Sequence, residues 1–256
     1  MSLLECIVLA ASACAAGFIN SIAGGGTLLT FPALLFFGTA PVQANATSTV
    51  SLVVGTAGSI VAFRKHLREV RAWLVKFVPV SVLGGWLGSV LLTRTTDEVF
   101  AHLVPFLILF ATVLFFLQSV FRRWFAQASA SKHSVWIAVV FQFAVSVYGG
   151  YFGAGIGILM LASLGFVGLS DIHQMNALKN LLGSIINVVA SLWVIASGIV
   201  HWPKACVMIV GALAGYYLGA HVSLRVPQTM VRRIITLIGL VISAVMFYRQ
   251  FVAGTH

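Results

Sequence analysis

Acidic side chains are scarce: five Asp and Glu stand against fifteen Lys and Arg in 256 residues. None falls deep in an apolar run, since Glu5 and Asp171 sit at segment ends and Glu69, Asp97 and Glu98 lie between segments. Cation- and proton-coupled carriers place Asp or Glu inside a membrane segment, so cation transport is disfavoured. The chain also has no HExxH, GxSxG or P-loop pattern and no carboxylate pair in an apolar setting. An enzyme is therefore not expected, and nothing asks for a metal or a cofactor. Cys6, Cys14 and Cys206 are scattered without paired spacing, which argues against a disulfide or a zinc site. Glu5 stands where a signal peptide would carry bases, and no cleavage-like site follows, so the first apolar run reads as a retained span.

What remains is hydrophobic. Apolar residues make up 60% of the chain and charged residues 8%, with a mean hydropathy of +1.06. A water-soluble domain is about half apolar and a quarter charged, so this composition describes an all-α integral membrane protein. The net charge of +10 would suggest nucleic acid in a soluble chain. Here the bases cluster in short hydrophilic breaks, Arg64, Lys65, Arg68 and Arg71, then Arg122, Arg123 and Lys132. That is the pattern of cytoplasmic loops, and no nucleic-acid partner is implied.

A span needs roughly 20 apolar residues. About eight runs qualify, near 3–22, 43–63, 73–92, 99–121, 134–152, 175–197, 203–222 and 230–252. Two shorter pieces, 27–37 and 157–168, follow glycine-rich breaks and read as re-entrant half-helices. A shift of 131 residues superposes Gly24 on Gly155, Gly26 on Gly157, Asn45 on Asn176, Gly84 on Gly215 and Gly88 on Gly219. Two homologous halves are expected, 1–125 and 126–256, forming a single membrane domain with a Gly-broken segment after the first helix of each half. Four crossings per half would make the repeats parallel, and three would make them inverted; the loop charges do not decide.

Duplicated halves with short, glycine-interrupted segments at matching positions point to a secondary transporter, with its site near the midplane. The candidate substrate-binding residues are Asn20, Gly24, Gly25, Gly26 and Thr27 at the first break and Gly153, Gly155 and Gly157 at the second. Unwound N–H groups beside a helix start favour an anion. The helix after each break adds Asn45, Ser48 and Thr49 in one half and Asn176, Lys179 and Asn180 in the other, spaced at three and four residues. Polar stripes on membrane helices face the interior or a wet path, although close packing and interhelical hydrogen bonds would use the same residue types. Lys179 is a base with no evident acidic partner, which makes an anionic substrate attractive; snorkelling to the headgroups is the alternative.

The stretch GFINSIAGGGTLLTFPALLFFGTAPVQANATS, echoed by GGYFGAGIGILMLASLGFVGLSDIHQMNALKN, resembles the TauE/SafE sulfite exporter family, also called toluene-sulfonate uptake permeases. The matching features are Gly24–Gly26, Pro32, Gly38 and Ala44–Ser48; the second half departs, with Ser163 for Pro32 and Ile156 for Gly25. The resemblance implies a multi-pass permease of the cytoplasmic (cell inner) membrane for anions such as sulfite, thiosulfate, sulfoacetate or sulfonates. Its partners would be that small anion and the lipid bilayer. A coupling ion, H+ or Na+, and a homo-oligomer are left open. The competing readings are an anion channel and a non-transporting membrane assembly or anchoring protein.

Overall fold

Residues 1–22, 24–56, 70–125, 132–165, 172–222 and 227–251 are described in the computed structural model. Among these residues the chain is helical, with no strand. The helices are α1 (Leu3–Ile22), α2 (Thr27–Phe36), α3 (Pro41–Val53), α4 (Arg71–Arg94), α5 (Asp97–Phe125), α6 (Lys132–Tyr151), α7 (Ile156–Gly165), α8 (Ile172–Ala196), α9 (Trp202–Val222) and α10 (Gln228–Phe251). Six carry stretches long and apolar enough to cross a bilayer: Leu3–Ile22, Arg71–Arg94, Asp97–Gln118, Gln174–Ala196, Trp202–Val222 and Thr229–Gln250. α2 and the Val135–Tyr151 part of α6 are shorter apolar helices. The run expected at 43–63 is helical over Pro41–Val53 and then enters residues 57–69, which lie outside the described residues with Arg64, Lys65 and Arg68. The short piece expected at 157–168 is α7, and its last residues fall in 166–171, also undescribed.

Local chemistry explains several boundaries. Pro41 opens α3 at a position where its missing N–H costs no helix bond. The Asp97 carboxylate then accepts the Val42 N–H at 2.8 Å, so an acid from the start of α5 caps the positive end of α3. Gly38 and Gly198 end helical segments with φ of 71° and 70°, a region that costs other residues a Cβ clash.

Contacts between glycines and neighbouring backbones fix the helix directions. Gly211 packs on Ala10, Gly215 on Cys14 and Gly219 on Phe18, while Gly17 packs on Ala212. The register advances together on both chains, so α1 and α9 run parallel. α4 and α6 pair in the same fashion, with Gly84 on Phe143 and Ser146, Gly88 on Val147 and Tyr151, and Gly150 on Gly85 and Ser89. α8 runs parallel to α4, placing Ile186 beside Gly85 and donating the Trp193 indole N–H to the Thr93 hydroxyl at 3.1 Å. It opposes α3, since Ser184 meets the Thr56 carbonyl while Thr47 accepts the His201 N–H just beyond the far end of α8. α5 and α10 are antiparallel, with Thr112 on Gly239 and Phe106 on Phe247. Thus α1, α3 and α9 point one way and α4, α6 and α8 the other.

The surface is apolar, with Leu83, Phe116, Trp136, Val140, Leu192, Val210 and Leu237 exposed. Thr30, Asn45, Thr47, Ser48, Ser51, Ser81, Gln142 and Ser146 are buried. This arrangement suits lipid outside and polar contacts between helices inside. Gln142 and Ser146 of α6 join Ser81 of α4 in one such cluster. At the end where α1, α3 and α9 begin, Lys204 is 6% exposed and bonds Glu5 at 2.9 Å. Its ammonium also donates to the Phe37 carbonyl and the Thr39 hydroxyl, each at 3.0 Å. Three points of contact around one buried cation tie α1 and α9 to the turn between α2 and α3.

Candidate functional site

Both glycine stretches break their helices. Gly24 and Gly25 adopt φ of 82° and 95°, and Gly153 and Gly155 adopt 83° and 77°, conformations that glycine alone enters without cost. Backbone freed within a membrane must find partners inside the protein. At the first break the Gly24 N–H reaches the Ile19 carbonyl at 3.2 Å. The Asn20 side-chain oxygen accepts the Gly26 N–H at 2.7 Å, and its amide donates to the Tyr216 hydroxyl at 3.0 Å. Tyr216 in turn donates to the Leu52 carbonyl at 3.2 Å. At the second break the Gly153 N–H reaches the Tyr148 carbonyl at 3.2 Å, and the Tyr148 hydroxyl donates to the Ala154 carbonyl at 2.7 Å. The geometry of Asn20 is that of a brace between α1, α2 and α9. Asn20→Ala is expected to cost about 1–3 kcal/mol, because it strands the Gly26 N–H and unseats Tyr216; equilibrium unfolding in mixed micelles measures it.

The other polar candidates of the first half also have protein partners. Ser48 shares a 2.6 Å hydrogen bond with Thr30, and Thr49 donates to the Asn45 carbonyl at 2.9 Å. The Asn45 amide donates to the Tyr151 carbonyl at 2.8 Å, binding α3 to the end of α6. Its side-chain oxygen is buried without a partner among the described residues, so one acceptor is left over. Thr27 is half-buried at the start of α2.

α8 differs. Asn176, Lys179 and Asn180 are half-buried, and their side chains have no hydrogen bond or ion pair with another described residue. The Lys179 stem lies over Gly157, where an added Cβ would stand 3.6 Å from its Cδ. The acids with described side chains, Glu5, Asp97 and Glu98, lie at the opposite end of the bundle, where α1 and α5 begin. Polar groups of the first half brace the break, whereas Asn176, Lys179 and Asn180 of the second have no such partner among the described residues.

The two breaks meet at Phe115. A Cβ on Gly25 would overlap the Phe115 ring, and a Cβ on Gly155 would lie 3.7 Å from the same ring's Cε2. Phe115 is 3% exposed, and nothing in a chain with 19 phenylalanines singled it out. Tyr148, Tyr216 and Lys204 were missed for a related reason: their roles depend on partners that are remote in the sequence or lie on the backbone.

A lipid-facing helical bundle, with helices broken at two glycine turns that converge inside it, defines a membrane protein of the transporter class. The chain belongs to the sulfite exporter TauE/SafE family, whose profile matches residues 9–246. The probable membrane transporter protein YfcA of Escherichia coli (strain K12) is 28% identical over 235 residues, covering 91% of this chain and 86% of that protein. A probable membrane transporter protein of Haemophilus influenzae is 28% identical over 252 residues, covering 98% and 95%. The probable membrane transporter protein ORF9 of Sinorhizobium sp is 27% identical over 247 residues, covering 94% and 90%. No solved structure matches the chain. This is a multi-pass membrane transporter.

Proposed function

We propose that the protein is an alternating-access secondary carrier for sulfur-containing or organic anions of the sulfite, thiosulfate, sulfoacetate and sulfonate type. The observation that carries this reading is Lys179, half-buried over Gly157 and facing no described acid. A cation inside a membrane protein calls for a compensating charge, and a bound anion supplies it. Asn176 and Asn180, one turn apart on the same helix, would donate to its oxygens.

The same proposal takes 1–125 and 126–256 as inverted repeats; their junction adjoins 126–131, outside the described residues. Under the 131-residue shift α1 answers to α6, α3 to α8, α4 to α9 and α5 to α10, and each runs opposite to its counterpart. This topology gathers Arg71 and Lys76 at the start of α4, Arg122 and Arg123 at the end of α5, Lys132 at the start of α6 and Arg232 and Arg233 near the start of α10 at one end of the bundle. The other end holds Arg94, Lys204 and Arg249 with Glu5, Asp97 and Glu98. The positive-inside rule makes the first end cytoplasmic.

The test is uptake of radiolabelled sulfite, thiosulfate and a small sulfonate into proteoliposomes, with and without a pH gradient. Saturable uptake of at least one is expected, falling about 10-fold or more in Lys179→Gln and less in Lys179→Arg. Unchanged uptake in a folded Lys179→Gln protein would remove the residue from the site. No uptake of any of the three would refute the substrate class.

A further inference from the structure

We propose that Phe115 is the barrier residue of this transporter: its ring closes the path between the two glycine breaks, and it must move aside for the site to change sides. The inference rests on the carrier reading above and adds the element that keeps the two sides apart.

Three observations support it. One ring atom, Cε2, is the near neighbour of both breaks: a Cβ on Gly25 would stand 2.8 Å from it and a Cβ on Gly155 3.7 Å. The ring therefore fills the gap between the breaks rather than packing against either alone. The breaks are also approached from opposite ends of the bundle. α2 antiparallels α5, since Gly25 lies beside Phe115 whereas Phe31 lies beside Phe100, nearer the start of α5. α7 returns along α6, with Ile156 near Gly149 and Ser163 donating to the Ala138 carbonyl. Each break is thus the inner tip of a helix pair that enters from its own side, and Phe115 stands where the tips meet. Finally, the barrier belongs to one half only. The residue 131 positions on is Met246, a side chain with more internal freedom and no flat ring.

A buried aromatic ring at a constriction opposes a hydrated anion in two ways: it excludes volume, and it offers no hydrogen bond to replace lost water. Glycine on both flanks suits such a part. Gly25 leaves room for the ring, and both glycines supply backbone that can bend as the ring moves. Removing the ring should join the two half-sites into a continuous leak.

The experiment uses the full chain in proteoliposomes, with Cys6, Cys14 and Cys206 replaced by Ala and a single thiol introduced by Ala111→Cys. Ala111 is fully buried and faces Gly155, one turn from Phe115. A membrane-impermeant maleimide is expected to label this thiol about 10-fold faster in Phe115→Ala than with Phe115 present, and at an intermediate rate in Phe115→Met. Thiosulfate efflux from preloaded vesicles should become non-saturable in Phe115→Ala. Equal labelling rates in all three backgrounds, with matching melting curves, would overturn the proposal. Should Phe115→Ala not fold, Phe115→Met decides it by the same comparison. Faster labelling without wild-type uptake of any of the three anions would leave the barrier standing and remove the substrate assignment.

Discussion

Gly215→Val is expected to yield no folded protein, a loss of about 4 kcal/mol or more. A side chain at position 215 would strike the Cys14 carbonyl, and its Cβ would stand 2.9 Å from the Cys14 Cα. Both are main-chain atoms of a helix and cannot rotate away. Relief requires α1 and α9 to separate, which also opens the contacts of Gly17, Gly211 and Gly219 along the same seam. In lipid nothing replaces them, because helix association there depends on close packing rather than on expelling water. Gly88→Val should fail in the same way, since its Cβ would overlap the Val147 carbonyl and lie 2.9 Å from the Tyr151 nitrogen. Gly198→Ala is the control: φ is 70° but nothing lies within 4 Å of the added carbon. It should cost only the backbone strain of about 1–2 kcal/mol. Monodispersity in detergent and thermal unfolding measure all three; a Gly215→Val protein that elutes and melts like wild type would refute the seam.

How much of this was legible follows from what each feature depends on. The long helices were readable because lipid demands length and apolarity, both properties of a local segment. The breaks were readable because Gly24, Gly25, Gly153 and Gly155 take a conformation that glycine almost alone supplies. Small residues such as Gly84, Gly88, Gly215 and Gly219 announced close packing, though not which helix each meets or that the pairs are parallel. Side-chain roles were far less legible. Asn20 looked like a ligand for an anion, yet its amide partner is Tyr216, 196 positions away. Nothing in the sequence marks Lys204, because its partners Glu5, Phe37 and Thr39 are brought around it only by the fold. Helix direction was beyond reach because it depends on which ends the unequal loops join, and that is a property of the assembled bundle.

Of the two positive-φ glycines at the first break, Gly25 is expected to show the larger single-methyl effect. Gly24 and Gly25 have similar positive φ and differ in what surrounds them. Nothing lies within 4 Å of a Cβ on Gly24, so Gly24→Ala should cost about 1–2 kcal/mol of backbone strain. At Gly25 the methyl carries the same strain and also enters the volume of the Phe115 ring, adding about 1–3 kcal/mol of overpacking. The second part belongs to the pair and not to the glycine. It should therefore disappear when the ring is removed: Gly25→Ala combined with Phe115→Ala is expected to be more stable than the sum of the single changes predicts, by about 1–3 kcal/mol. The same cycle run with Gly24→Ala should be additive within about 0.5 kcal/mol, because no atom is shared. Equilibrium unfolding of the singles and doubles in mixed micelles provides the numbers. Additivity at Gly25 would mean that the ring yields freely to a methyl group, and a ring that yields so easily could not hold the two breaks apart.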